Sequence, residues 1–110
     1  MKTKEERTDG VLVCSPEGEI DVNTAAEIKK VFEGILRNNE KKVLVDFSAI
    51  SYIDSSGLAA FIEIGRNLKK TGGVLCFCNM DHKIRHVFEV TKLHKLFAIF
   101  ESREAALKDF

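Results

Sequence analysis

The chain lacks a net charge: Lys and Arg together number 17, and so do Asp and Glu. A balanced chain has no global field to draw in nucleic acid or an anionic membrane surface. It also lacks long apolar runs. None exceeds five residues, whereas a membrane-spanning helix needs about 20. The opening Met1-Lys2-Thr3-Lys4-Glu5-Glu6-Arg7 has no apolar stretch of the kind a secretory signal carries. Proline occurs once, at Pro16, and there is no repeat, low-complexity tract or linker. The three cysteines are an odd number, which excludes a complete disulfide framework. These absences lead to the expectation of a soluble cytoplasmic protein with no nucleic-acid and no membrane partner.

What the chain does have is apolar bulk. With 110 residues and 45% hydrophobic side chains it can bury one core without help from a metal. The expectation is one domain spanning 1–110, with its core roughly at 10–108. Cys76 and Cys78 lie in Val74-Leu75-Cys76-Phe77-Cys78, which reads as a buried strand. They share the face opposite Leu75 and Phe77. Two thiols with no second pair cannot complete a tetrahedral metal site, so they read as small buried hydrophobes.

Along the chain, Val11-Leu12-Val13-Cys14 reads as a strand beside a polar edge strand within residues 2–8. Pro16 cannot donate to a ladder, so pairing is expected to bulge or fail there. Thr24 with Glu27 three residues on fits a capping box. Ile28, Val31, Phe32, Ile35 and Leu36 then keep helical spacing, with Lys29, Lys30, Glu33 and Arg37 outside. Val43 to Phe47 reads as a strand covered on both faces. A helix is expected to start near Gly57 and to stop at Thr71-Gly72-Gly73, with Phe61, Ile64, Gly65 and Leu68 on its inner arc. Ile84, Val87 and Phe88 mark a third helix and Phe97 to Phe100 a last strand, and Ser102 caps a closing helix to Lys108. This alternation predicts an α/β fold: a mostly parallel, mixed sheet of four or five strands with about four helices.

Such folds gather their functional loops at the carboxyl ends of the strands. Two hand-overs there are unusually polar, Gly18-Glu19-Ile20-Asp21-Val22-Asn23-Thr24 and Ile53-Asp54-Ser55-Ser56-Gly57-Leu58. Both are expected on one rim. In the second, a serine at a helix start has two readings. It can simply cap the helix. Alternatively its hydroxyl projects outward, and a phosphate placed on it would meet free N–H groups and the positive helix end. That phosphate would add about −1.5 to −2 charge next to Asp54 and Asp21, enough to repel a docked partner without refolding. Serine nucleophile catalysis fits poorly, because Ile53 stands where a hydrolase elbow needs glycine.

In order and spacing, these segments resemble a STAS domain, specifically the stand-alone bacterial anti-sigma factor antagonists. The parts are Gly18-Glu19-Ile20-Asp21, Val43 to Phe47 leading to Tyr52-Ile53-Asp54-Ser55-Ser56-Gly57-Leu58, Gly72-Gly73, Asn79 to Phe88, Leu93 to Phe97, and Glu104-Ala105-Ala106. The resemblance implies a partner switch. Unphosphorylated, the protein binds an anti-sigma factor serine kinase and frees a sigma factor; phosphorylated at Ser55, it lets go until a serine phosphatase resets it. ATP and magnesium belong to the kinase, so the chain itself needs no cofactor and is no enzyme. Ser56 becomes the structural neighbour, and Asp21, Asp54 and Gly57 lie at the partner surface. On the helix that follows, Ala59, Glu63 and Arg66 suit a close-fitting docking face with a polar rim.

The same fold also serves as a scaffold in stress-signalling assemblies and as an accessory subunit of lipid transport, and a weak nucleotide site is a further alternative. Against the last, no Gly-x-x-x-x-Gly-Lys-Ser/Thr or Gly-x-Gly-x-x-Gly occurs. His82, His86 and Glu89 share an outer helical face that could hold zinc loosely, but with no second shell apparent a solvated face is the preferred reading.

Overall fold

The computed structural model describes residues 1–110. Strand β1 (Thr3–Thr8) turns through Asp9-Gly10 into β2 (Val11–Pro16). Both turn residues have positive φ, 53° and 78°, the backbone that a two-residue hairpin turn demands and that Asp-Gly readily adopts. After the short β3 (Gly18–Ile20) come α1 (Ala25–Arg37), β4 (Lys42–Asp46), β5 (Ile50–Ile53) and α2 (Ser55–Lys70). The chain closes with β6 (Val74–Cys78), α3 (His82–Val90), a 3-10 turn (Leu93–Lys95), β7 (Ala98–Phe100) and α4 (Arg103–Lys108). No helix is long and apolar enough to cross a membrane.

The main sheet has five strands in the order β1-β2-β4-β6-β7. Only β1 is antiparallel; the rest run parallel. The polar β1 blunts one edge with charged side chains. Alternation along the inner strands divides the core as the periodicity requires. Leu12, Cys14, Val43, Val45, Leu75 and Phe77 face α1, α2 and α3, while Val11, Val13, Leu44, Cys76 and Cys78 face Ala106 of α4. Phe77 is the hub of the larger layer: its ring centroid lies 5.2 Å from Phe47, 5.3 Å from Phe61, 5.6 Å from Phe88 and 4.7 Å from Phe97.

Two expectations need correction. Pairing between β2 and β1 continues through Pro16, opposite Thr3; what ends early is the pairing with β4, which stops at Cys14. Pro16 is tolerated because its missing N–H removes nothing from the β1 register and the chain is already leaving β4. The Thr24–Glu27 capping box does not form, because the Thr24 side chain makes no cap bond. Its hydroxyl instead donates to the Glu19 carbonyl at 2.8 Å and accepts the Asp21 N–H at 2.9 Å. Ser102 does cap α4, accepting the Ala105 N–H at 3.1 Å.

All three cysteines are free and buried. Burial pushes the thiols of Cys14 and Cys78 up to about 12, and raises that of Cys76. Since the thiolate is the reactive form, iodoacetamide at about pH 8 should leave all three unmodified in the folded protein and alkylate all three in denaturant. Labelling of the native protein, read by intact mass, would contradict this placement.

Candidate functional site

β3 and β5 were not foreseen as a pair. They form a separate two-stranded parallel ribbon, with Glu19 opposite Tyr52 and Ile20 opposite Ile53. Ile20 and Ile53 are buried and anchor the ribbon to the core. The residues that follow them are Asp21 and Asp54. Parallel neighbours lie about 4.8 Å apart, and the Asp54 N–H donates to the Ile20 carbonyl at 3.1 Å. The two polar hand-overs therefore leave one rim side by side, as expected from the sequence.

Asp54 caps the start of α2, and Asp21 closes the turn that leads into α1. Asp54 Oδ1 accepts the N–H groups of Ser56 at 2.9 Å and Gly57 at 3.2 Å, and its carbonyl accepts the Leu58 N–H at 3.0 Å. Asp21 Oδ1 accepts the N–H groups of Asn23 at 2.9 Å and Thr24 at 3.2 Å, and its carbonyl accepts the Ala25 N–H at 2.8 Å. This corrects the expectation that a serine caps α2. A carboxylate one residue earlier reaches the orphan donors with stronger, charge-assisted bonds. It also corrects the picture of free N–H groups awaiting a phosphate, since Asp54 already holds two of them.

Relieved of capping, Ser55 is the first residue of α2 and is exposed, and Ser56 is half-buried. Gly57 points the other way. It is buried, and a Cβ there would sit 2.7 Å from Ile53 Cγ1 and 2.8 Å from Ile20 Cγ2. Its part is to let α2 sit down on the ribbon. Ala59, Glu63 and Arg66 are exposed and descend α2 from Ser55 on the same side, while Ala60 is buried. Glu63 pairs with Lys29 of α1 at 3.0 Å; both ends are solvated, so the pair adds little stability. Arg66 stands about 16 Å along the helix from Ser55, at 1.5 Å per residue.

Sequence reasoning missed two apolar members of this rim. Val22 is 70% exposed and Tyr52 49% exposed. Val22 follows Asp21 directly, and Tyr52 sits on the ribbon opposite Glu19. A valine held in water between Asp21 and Asn23 was a legible signal. Tyr52 was not, because its outward placement depends on β5 pairing with β3.

The other candidates carry less. His82, His86 and Glu89 are exposed on α3, and Glu89 lies 3.8 Å from Arg85. No group of three or more His, Cys, Asp or Glu side chains is placed to hold a metal ion.

A buried cluster near the rim also escaped the sequence. Asp46, at the end of β4, is the one buried charged residue, 3% exposed. It accepts the Ser48 N–H at 2.9 Å, the Asn79 side-chain amide at 3.1 Å and two Arg103 nitrogens at 2.9 and 3.3 Å. Burial pushes its carboxyl up, but these donors outweigh burial and leave it below the ordinary carboxylate range. Arg103 also reaches Glu6, so the cluster ties α4 to β4 and β1.

The chain as a whole is similar to known proteins in sequence and in fold. A family model described as the STAS domain matches residues 2–106. BtrV of Bordetella bronchiseptica, whose name describes it as an anti-sigma factor antagonist, is 27% identical over all of this chain and 95% of its own. The anti-sigma-B factor antagonist of Staphylococcus aureus is 29% identical over 79% of this chain and 81% of its own. The crystal structure of an anti-sigma factor antagonist from Mycobacterium paratuberculosis superposes with a TM-score of 0.89, at 27% identity, over 98% of this chain and 92% of that one.

Proposed function

The chain belongs to the STAS domain family, and from that we propose that it is a cytoplasmic anti-sigma factor antagonist working as a phosphorylation-controlled partner switch. Unphosphorylated, it binds an anti-sigma factor kinase and so releases a sigma factor. The kinase transfers the γ-phosphoryl group of its magnesium-bound ATP to Ser55 Oγ: the new O–P bond forms as the bond to ADP breaks, and the hydroxyl proton passes to a base of the kinase. The protein is the substrate, and a serine phosphatase restores it.

The observation that carries this reading is the placement of Ser55. It is exposed at the first position of α2, beside a helix start whose donors Asp54 already occupies. A phosphate there finds its nearest anion seat filled by a carboxylate, with Asp21 on the adjoining loop. The added charge of about −1.5 to −2 therefore projects from the rim instead of being absorbed by the helix end. Val22, Tyr52 and Ala59 supply apolar contact around the serine, with Asp21, Asp54, Ser56, Glu63 and Arg66 as its polar setting. Phosphorylation then opposes docking by charge alone, and the fold stays as it is.

The test is to incubate the protein with its candidate anti-sigma kinase and Mg-ATP, map phosphate by mass spectrometry, and measure affinity before and after. One phosphate on Ser55, absent in Ser55→Ala, with at least a tenfold loss of kinase affinity, is the expected result. Phosphate on another residue would overturn the assignment of Ser55. Tight binding with no phosphate would replace the switch with a scaffold.

A further inference from the structure

The formal charge of zero conceals a gathering of lysines at the amino ends of the strands. Asp21, Asp54, Asp81 and Glu101 lie on loops leaving the carboxyl ends of strands. Lys41, Lys42, Lys69, Lys70, Lys92 and Lys95 lie on segments entering the amino ends, and all six are exposed. Part of this sorting answers the helix dipoles, which favour acids at helix starts and bases at helix ends.

The basic end holds something the dipoles do not explain. A groove of about 500 Å³ runs between the second half of α2, the start of β6 and the segment before β7. Val74 and Leu96, 47% and 69% exposed, lie bare along it. Its floor is formed where the Phe97 ring packs directly on Gly65, at which a Cβ would fall 2.7 Å from that ring. Arg66 and Lys69 stand on one wall, Lys95 adjoins Leu96 on the other, and no carboxylate lines the groove. None of these three cations is ion-paired; the nearby Glu63 is engaged by Lys29. An apolar trough with two unpaired cations along one wall and a third next to Leu96 calls for one kind of complement.

We propose that this groove docks a short acidic segment of a partner protein, one or two large apolar side chains seating over Val74 and Leu96 while flanking carboxylates meet Arg66, Lys69 and Lys95. The one residue this groove shares with the proposed Ser55 docking face is Arg66, at that face's far edge about 16 Å along α2 from Ser55. Lys69 is about 21 Å along α2 from Ser55, well beyond the Debye length of about 8 Å at physiological salt. A partner held here stays bound whether or not Ser55 carries phosphate, so it is a permanent tether and not part of the switch.

The test uses the full chain, isotope-labelled, titrated by NMR with a panel of synthetic peptides holding one or two Leu or Phe among Asp and Glu. The same peptides with Lys in place of the acids serve as the control. Saturable shifts confined to the amides of Gly65, Gly73, Val74, Leu96 and Phe97 are expected. Lys69→Glu and Leu96→Ser should each weaken binding at least fivefold, and Ser55→Glu should leave it within twofold. Both altered positions are exposed, and the same spectra report whether each variant is folded. Equal binding of the lysine peptides, shifts elsewhere, no saturable binding, or shifts that appear only with phosphatidylglycerol vesicles or on self-association would each overturn the proposal. Because the phosphate-mapping experiment is independent, failure here leaves the Ser55 assignment untouched.

Discussion

Asp46→Ala is expected to destabilise the protein by about 2–3 kcal/mol, the range for removing a charged hydrogen-bonding group and leaving its buried partners unpaired. The carboxylate is 3% exposed and takes bonds from Ser48, Asn79 and Arg103. Without it, Arg103 keeps only Glu6, which is 57% exposed and cannot follow the guanidinium inward. Asp46→Asn should cost about half as much, since an amide oxygen still accepts the Ser48 N–H while the charge is lost. The pH dependence has a definite sign. The native carboxyl lies below its ordinary value, so its contribution is fully present above the unfolded-state value near 4. It is lost as pH falls through the depressed native value. The gap in Tm between wild type and Asp46→Ala should therefore be constant from about pH 5 to 8 and shrink below about pH 4. A gap that persists undiminished in acid would show that packing and not charge holds Asp46 in place.

Gly57→Ala is the second large effect, and its direction is informative. In a helix the change ordinarily stabilises by up to ~1 kcal/mol. Here the new methyl would sit 2.7 Å from Ile53 Cγ1, 2.8 Å from Ile20 Cγ2 and 3.0 Å from the Ile20 carbonyl oxygen. Both isoleucines are buried, and the carbonyl accepts the Asp54 N–H, so neither wall yields cheaply. Overpacking of this kind costs about 1–3 kcal/mol, which outweighs the gain in helix propensity. The expected outcome is a lower Tm with faster hydrogen exchange at the Asp54 amide, because the β3–β5 ribbon must shift to make room. An unchanged or raised Tm would mean that the ribbon moves freely and that Gly57 is not what seats α2.

These two residues mark where reading the chain by itself stops. Asp46 looks like any polar end to an apolar strand, and its partner Arg103 is 57 residues away. Gly57 could be read as part of a helix start, but not as the point where α2 meets Ile20 and Ile53. Asp54 took the capping place predicted for a serine because its backbone was already set by the bond to Ile20, and Thr24 lost its capping role to contacts with Glu19 and Asp21 for a similar reason.

The amino-acid sequence determined the elements and their faces. Apolar spacing of two and of 3.6 residues decides whether a segment is strand or helix and which side is buried. That local rule placed Cys76 and Cys78 opposite Leu75 and Phe77 and set the inner arc of α2, while the order of strands and helices pointed to one rim for the two polar hand-overs. Tertiary structure alone decided the β3–β5 ribbon, the bare Val22 and Tyr52 on the rim, the Asp46–Arg103 tie and the gathering of lysines at the amino ends of the strands. Each of these depends on which distant segments become neighbours, and local periodicity carries no record of that.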